Sequence, residues 1–284
     1  NNVFEKEYDY GIISNWGPDH VETGNLLIDH SIKKITIEKP FCNNLYTGEK
    51  FLNKIKEFNI RCNVHFRWPY LGLLKELKKL ENEFDMGEAS FINVLGGAGC
   101  LSTGGIHWMD FACRYFNESP LVISGVHSIE NMNPRSKDLG YVDGSCIYIF
   151  DNNKRLSFSL DNNSSIALET KFFYKYGYIS VDANSQIRVF KRNKKDIELA
   201  SKKITRYGIP ELNKVSSKLQ FGNSLEKVVN EMIGNNKSDI ICREDDGFRA
   251  SKMLLLALES SKLRRQIDFD DLNDLNLNHC WSVS

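Results

Sequence analysis

The first candidate for chemistry is a lysine that directly follows a short apolar run. Residues 34–37 indicate a buried strand, and Glu38-Lys39-Pro40 comes next. In open α/β sheets, ligands bind beyond the carboxyl ends of the strands. A lysine placed there and restrained by the following proline can take or give a proton. A solvated lysine in a strand-to-helix turn is the alternative, and the tripeptide alone favours it.

The second candidate is a polar stripe on an otherwise apolar helix that is predicted to begin near Gly104. His107, Asp110 and Arg114 share one face of this helix because they lie three and four residues apart. Buried polar groups need partners. The stripe therefore predicts either a structural network of the three side chains or a histidine that faces a substrate from the first turn.

The elements that must position these groups follow an α/β order at the start of the chain. Strand-like runs at residues 10–15, 34–37 and 61–68 alternate with helical spacing, which begins at Pro18 and again at residue 45. Strands and helices that alternate in this way predict a parallel sheet with crossover helices.

After a helix at residues 71–80, the pattern changes to short strands joined by polar turns. Turns at 151–153 and 161–163 consist of Asp and Asn, which tolerate left-handed conformations, so they predict antiparallel hairpins. We expect two domains, 1–68 and 69–284, and the second is an α+β domain with a large, mostly antiparallel open sheet. Its predicted strands are 89–95, 121–129, 145–150, 155–160, 166–174, 178–181 and 186–191, and its late helices are 225–233 and 247–263.

The composition excludes several classes of partner. Lys plus Arg and Asp plus Glu number 37 each, so no net field attracts nucleic acid or an acidic membrane. The seven cysteines contain no Cys-x-x-Cys pair, which predicts free thiols in a reducing compartment. No apolar run is long enough to span a bilayer, and the histidines lack metal-ligand spacing. We therefore expect a cytoplasmic protein without a metal site.

Five short motifs are spread along the chain. They are Ser14-Asn15-Trp16-Gly17-Pro18-Asp19-His20, Glu38-Lys39-Pro40, His65-Phe66-Arg67, Gly104-Gly105-Ile106-His107-Trp108-Met109-Asp110, and Asp245-Asp246-Gly247 at the start of the last helix. Together they resemble the family of glucose-fructose oxidoreductase, inositol dehydrogenase and MocA. Glu-Lys-Pro followed at this distance by Gly-x-His-x-x-Asp is specific to that family, and the resemblance covers nearly the whole chain.

The resemblance implies a Rossmann-type domain and hydride transfer between NAD or NADP and a sugar or sugar derivative, such as a nucleotide sugar or an amino sugar. It implies that Lys39 and His107 assist proton transfer from opposite walls of the site. Substrate contacts are implied for Thr103 and Arg67, and for Asp110 unless that residue lies behind His107. The implied cofactor contacts are Ser14, Asn15, Trp16, His20, Glu38 and Lys39.

Two features depart from the family's pattern. Thr103 stands where the family commonly has an aspartate, four residues before the histidine, and this shifts proton transfer to Lys39. No Gly-x-Gly-x-x-Gly turn precedes the first strand, although a dinucleotide fold should begin with one. Gly96-Gly97-Ala98-Gly99 has a different spacing and indicates a substrate-side loop. We therefore expect a fragment or natural truncation that binds NAD(H) weakly by itself.

Three classes of function stay open: a sugar oxidoreductase, a non-catalytic binding or dimerisation module, and a lyase or hydrolase of the same family that uses NAD. Aromatic residues on both alternations of the later strands predict that the outer sheet face is covered. A homodimer would cover it, and the resemblance implies a homodimer or homotetramer. The aromatic residues are Tyr148, Phe158, Phe172, Phe173, Tyr174 and Tyr176.

Overall fold

The protein contains two sheets joined through helices. The computed structural model describes residues 7–97, 99–130, 138–193, 195–198, 209–216, 218–219, 224–234 and 240–283. The predicted fold class is confirmed: a small parallel sheet precedes a large, mostly antiparallel one. None of the helices described combines the length and the apolar character that a membrane span requires.

The first sheet has three parallel strands in the order β1-β2-β3. Buried apolar side chains fill the middle strand, and the helix after it begins where the Asn44 side chain accepts a hydrogen bond from Thr47 N at 2.8 Å. The elements are β1 (Tyr10–Ile13), α1 (His20–Asp29), β2 (Lys34–Glu38), α2 (Leu45–Glu57) and β3 (Arg61–His65).

Two short helices connect the sheets. They are α3 (Arg67–Leu71) and α4 (Leu73–Glu83), separated by Gly72 with φ of 72°. The sequence predicted a strand through residue 68 and one helix at 71–80. The strand ends earlier because Pro69 fits the first turn of a helix, where no backbone N–H is needed. Helix α3 thus spans the predicted boundary between residues 68 and 69.

The second sheet has nine strands in the order β11-β10-β9-β8-β4-β7-β6-β5-β12. All neighbours are antiparallel except β4 and β7. The strands are β4 (Phe91–Gly97), β5 (Val122–Glu130), β6 (Tyr141–Ile149), β7 (Arg155–Asp161), β8 (Glu169–Tyr174), β9 (Gly177–Val181), β10 (Ile187–Lys191), β11 (Glu211–Val215) and β12 (Ile267–Asp268). Helices α5 (Ile106–Phe116) and α7 (Glu244–Leu263) pack with it, whereas α6 (Ser224–Ile233) lies against the first sheet, where its Glu231 accepts hydrogen bonds from Asn63 of β3 and from Tyr70.

One of the two predicted hairpins is correct. Residues 151–153 join the antiparallel pair β6 and β7. The hairpin at 161–163 is wrong, because β4 lies between β7 and β8 and pairs with both. The apolar, fully buried Ile92 and Val94 place β4 at this central position.

The aromatic side chains of the second sheet lie on its two faces, and most of those expected on the outer face lie on the inner one. Tyr148, Phe158, Phe172 and Tyr174 are buried, and Phe172 contacts rings of α5 on the helix-covered face. The outer face instead carries a row of four half-buried rings from neighbouring strands, spaced 4.5 to 5.8 Å apart. This aromatic row consists of Phe91, Phe173, Tyr178 and Phe190.

The loop between β7 and β8 rests on the glycines at the end of β4. Gly97 donates its backbone N–H to Ile166 O at 2.7 Å, and a Cβ on Gly97 would lie 1.9 Å from Ser164 O. Only a residue without a side chain permits this approach. The nearby Gly104 is different, since a Cβ there would meet only Leu168 Cδ1, at 3.8 Å.

We expect Gly97→Ala to lower the free energy of unfolding by about 1–3 kcal/mol, because the backbone of the 162–168 loop must move away. Gly104→Ala is the matched control and should be neutral or slightly stabilising. Urea denaturation of both variants measures the difference. Equal stability of the two variants would contradict the close packing at Gly97.

Candidate active site

Lys39 lies directly after β2, at the carboxyl edge of the parallel sheet. Strand β2 is the middle strand, so β1 and β3 flank it on both sides. The peptide bond between Lys39 and Pro40 is cis, and the lysine side chain is half-buried. The position of Lys39 at the carboxyl end of a parallel strand is thus the one that the sequence predicted.

Glu38 and His65 form a hydrogen-bonded pair beside this lysine. Their positions are directly opposite each other on β2 and β3. His65 Nδ1 lies 2.7 Å from Glu38 Oε1, and its Nε2 lies 3.1 Å from Ser224 Oγ. Burial works to raise the pKa of Glu38, but the hydrogen bond and charge of His65, with Lys39 nearby, hold it below its ordinary value.

His107 is in the first turn of α5, which follows a π-helical turn at Leu101–Gly105. Its Nδ1 accepts the backbone N–H of Arg67 at 3.5 Å, and the Phe66 ring meets the imidazole edge-on at 5.9 Å. Burial, followed by the positive charges of Lys39, Arg67 and His65, lowers the pKa of His107 well below its ordinary value. His107 is therefore neutral at neutral pH, and the contact at Nδ1 favours a proton on Nε2.

A cavity of about 300 Å³ adjoins His107. This volume is at the lower end of the range of roughly 300–1,000 Å³ for small-molecule sites. Arg67, His107 and Gly97 of the glycine-rich loop are among the residues that line it. The remaining lining residues are Trp68, Gly104, Trp108, Ser165, Ala167, Leu168, Thr170, Val181, Asp182 and Ala183.

Asp110 does not share this cavity, in contrast to the expected substrate contact. Its side chain is fully buried, and Arg114 Nε donates to its two oxygens at 2.8 and 3.0 Å. Arg114 also contacts Asp246 at 2.8 Å. The polar stripe of α5 is thus divided: Asp110 and Arg114 form a structural network, while His107 alone faces the cavity.

The residues expected to contact the cofactor differ in exposure: some are exposed and one is buried. Ser14, Asn15 and Trp16 are exposed beyond the carboxyl end of β1, where Asn15 Nδ2 donates to Thr23 Oγ1 at 2.8 Å. His20 is instead 1% exposed, with its ring nitrogens 2.7 Å from Pro40 O and 3.0 Å from Asn15 O. His20 therefore fastens the loop after β1 to the loop that carries Lys39.

The sequence did not single out Trp68, Trp108 or Asp182 as site residues. The two tryptophan rings lie 4.3 Å apart and form one wall of the cavity. Asp182 follows β9, far along the chain from Lys39. Thr103 is half-exposed in the π-helical turn and is not a lining residue.

Comparison with solved structures identifies the fold. An oxidoreductase from Agrobacterium radiobacter, in complex with NAD+, L-tartaric acid and magnesium, matches with a TM-score of 0.70 and 13% identity over 94% of this chain and 82% of that chain. Aldose-aldose oxidoreductase from Caulobacter crescentus, complexed with glycerol, matches with a TM-score of 0.68 and 14% identity. The match covers 93% of this chain and 80% of that chain. Myo-inositol 2-dehydrogenase from Lactobacillus plantarum matches with a TM-score of 0.66 and 16% identity. The match covers 93% of this chain and 81% of that chain.

The chain therefore has the same fold as these oxidoreductases. No family model and no curated protein matches its sequence. The likeness at this level of identity establishes the architecture, and the chemistry must be argued from the site itself.

The network at Asp110 generates a test of its structural role. Burial raises the pKa of Asp110 to about 6, although Arg114 opposes the shift. We expect Arg114→Met to cost about 3–5 kcal/mol of unfolding free energy near neutral pH, because it leaves a buried carboxylate without its cation. Since the folded pKa lies above the unfolded one, the penalty grows as pH rises through the folded pKa.

Chemical denaturation of Arg114→Met at about pH 5 and about pH 7.5 measures this dependence. The loss should be smaller at the lower pH, where Asp110 is protonated. The double variant Asp110→Asn, Arg114→Met serves as the control and should show little change between the two pH values. An equal loss for Arg114→Met at both would contradict the assignment.

Proposed function

We propose that this protein is an NAD(P)-dependent oxidoreductase that interconverts a hydroxyl and a carbonyl group on a sugar or sugar derivative. The observation that carries the proposal is the pairing of Lys39 with His107. Lys39 follows β2 of the first sheet and His107 lies on α5, which packs on the second sheet, yet Lys39 acts electrostatically on the His107 ring beside a cavity of small-molecule size.

Because His107 is neutral, we assign the acceptance of the substrate proton to the neutral amine form of Lys39. In the direction of oxidation, a bound nicotinamide would supply the acceptor for the hydride that leaves the carbinol carbon. The hydroxyl proton passes to the Lys39 amine as the carbonyl forms, so atoms and charge balance. Neutral His107 donates a hydrogen bond from Nε2 to the same oxygen and stabilises the negative charge that develops there.

The residues present fit the nicotinamide end of the cofactor. Ser14 and Asn15 offer hydroxyl and amide groups at the carboxyl end of β1, and Trp16 is 44% exposed next to them. Lys39 lies at the end of the neighbouring strand, where a nicotinamide would meet the substrate. The sequence supplies no Gly-x-Gly-x-x-Gly turn for the pyrophosphate, so we assign only the nicotinamide end to these residues.

We expect Lys39→Met to slow hydride transfer by about 100-fold to 10,000-fold, the usual loss when a general acid-base is removed. Single-turnover transfer of deuterium from labelled NAD(P)H to a panel of keto sugars measures the rate. Lys34→Met is the matched control, because Lys34 lies on the same strand at its amino end, with Nζ 3.5 Å from Ile233 O.

Lys34→Met should transfer at the wild-type rate. A wild-type rate in Lys39→Met would remove Lys39 from the mechanism. If the unsubstituted protein binds a sugar but transfers no deuterium, a non-catalytic binding module becomes the better assignment.

We also propose a homodimer through the aromatic row on the outer sheet face. A second copy suits this face because charges of both signs lie beside the rings: Lys171 pairs with Glu169 at 3.2 Å, and Arg155 lies over Phe91. An isologous interface can match such groups between copies.

Light scattering at micromolar concentration should therefore show a dimer. Phe173→Glu should shift the protein towards monomer, because it buries a charge at the centre of the row. Phe58→Glu is the control, since Phe58 is 46% exposed at the end of α2, away from this sheet. A monomeric wild-type protein would contradict the proposal.

A further inference from the structure

A carboxylate, an imidazole and a hydroxyl lie in series at the carboxyl edge of the first sheet. Glu38 ends β2, His65 ends β3, and Ser224 begins α6. The imidazole lies between the other two groups: its Nδ1 is 2.7 Å from Glu38 Oε1, and its Nε2 is 3.1 Å from Ser224 Oγ. A serine within hydrogen-bond distance of a base that a third group orients is the arrangement that activates a hydroxyl as a nucleophile.

The carboxylate of Glu38 decides which nitrogen of His65 holds the proton in the neutral ring. Burial works to raise the pKa of Glu38, but the hydrogen bond and charge of His65 hold it below its ordinary value. Glu38 is therefore charged at neutral pH and can only accept a hydrogen bond, which places the proton on Nδ1. Nε2 then presents its lone pair to Ser224 Oγ, and the hydroxyl donates. A general base requires this tautomer.

Contacts farther along α6 hold Ser224 beside His65. Glu231 lies seven residues after Ser224, so the two residues share one face of the helix. Glu231 Oε2 accepts hydrogen bonds from Asn63 Nδ2 at 3.1 Å and from the Tyr70 hydroxyl at 2.8 Å. Asn63 and His65 are two residues apart on β3 and so share one face of that strand. The helix is therefore fastened along β3 at two points, and its start lies at the carboxyl end of the strand.

The surroundings of Ser224 suit attack on a carbonyl carbon. Ser224 is the first residue of a ten-residue helix, and the amino end of a helix carries partial positive charge, which stabilises a developing oxyanion. The next turn contains Glu226 and Lys227, whose charges are of opposite sign. The side chains of Glu38 and His65 are 33% and 15% exposed, and Ser224 is half-buried, so a small ester and water can reach the hydroxyl.

We propose that Ser224 is the nucleophile of a second activity, the hydrolysis of small carboxylic esters, with His65 as its general base and Glu38 as a positioning residue. Ser224 Oγ forms a bond to the carbonyl carbon and gives its proton to His65, which passes it to the departing alcohol. Water then attacks the acyl-serine in the same way, which releases the acid and restores the hydroxyl. Nothing is oxidised or reduced, so the inference is independent of the proposed hydride transfer.

Covalent labelling of the full chain in the absence of NAD(P) tests the nucleophile directly. Diisopropyl fluorophosphate forms a phosphorus–oxygen bond with an activated serine and releases fluoride. We expect an adduct at Ser224, located by mass spectrometry of peptides. This measurement uses the unsubstituted protein, so it decides the proposal even if a variant loses its fold.

Hydrolysis of 4-nitrophenyl acetate by variants assigns the roles. Ser224→Ala and His65→Gln should each lower the rate at least about 100-fold, as expected when general-base catalysis is lost. Ser90→Ala and His30→Gln are the matched controls, because Ser90 is exposed directly before β4 and His30 is exposed directly after α1. Both controls should hydrolyse the ester at the unsubstituted rate.

The variant Glu38→Gln tests the positioning role through the pH profile of labelling. The labelling rate should rise with pH as His65 loses its proton. In Glu38→Gln the midpoint should lie at lower pH, because the negative charge that favours the protonated ring is gone. The other titratable groups near this ring, Tyr70, Lys39 and His107, are the same in both proteins. An unchanged midpoint would overturn the role assigned to Glu38.

Three outcomes would overturn the proposal as a whole. They are the absence of a label on Ser224 under conditions that fully label a known serine esterase, labelling of His65→Gln at the unsubstituted rate, and ester hydrolysis by Ser224→Ala at the rate of Ser90→Ala. Circular dichroism spectra that match the unsubstituted protein qualify each variant for these comparisons.

Discussion

The packing of α7 between the two sheets is the constraint on which the site depends. Its middle, from Met253 to Leu258, is at most 1% exposed, so the helix is apolar nearly all round and must be enclosed. At the first sheet, Gly247 packs closely against Val64 of β3, and Ser251 Oγ accepts the backbone N–H of Phe41 at 2.9 Å. Phe41 lies two residues after Lys39, so the lysine loop is fastened to this helix.

The same helix also fixes the position of His107, the other half of the proposed pair. Cys113 of α5 contacts Met253 at 3.5 Å, and Ser260 Oγ accepts the backbone N–H of Gly125 in the second sheet. Because one buried helix holds both the Lys39 loop and the helix of His107, the distance between the two groups is set by core packing. Core packing is dense and resists deformation, which is the property that a preorganised acid-base pair requires.

The sequence predicted the parts of this arrangement that depend on local pattern. Strand β2 with Lys39 after it and helix α5 with His107 in its first turn both follow from apolar periodicity over a few residues. The position of β4 between β7 and β8 could not be predicted in this way, since strand order is decided by contacts between residues far apart in the chain. Asp182 was missed for the same reason: its turn resembles any other Asp-rich turn until the sheet brings it to the cavity.

The stripe on α5 shows the limit of periodicity most clearly. Spacing placed His107, Asp110 and Arg114 on one face, and that placement is correct, but spacing cannot say which partner each side chain finds. Asp110 is enclosed with Arg114, whereas His107, one turn closer to the helix start, reaches the cavity. The difference depends on which neighbouring elements pack around each turn of α5. These are tertiary contacts, which the spacing of residues along the helix does not predict.

The threonine at position 103 bears on the protonation of His107. The family that the sequence resembles commonly has an aspartate at this position, and a carboxylate there would favour a protonated histidine. With a threonine, the charges that act on His107 are those of Lys39, Arg67 and His65, which all favour the neutral ring. A neutral imidazole can donate a hydrogen bond but has no extra proton to give at neutral pH. In the proposed reaction, the proton is therefore assigned to Lys39 and the hydrogen bond to His107.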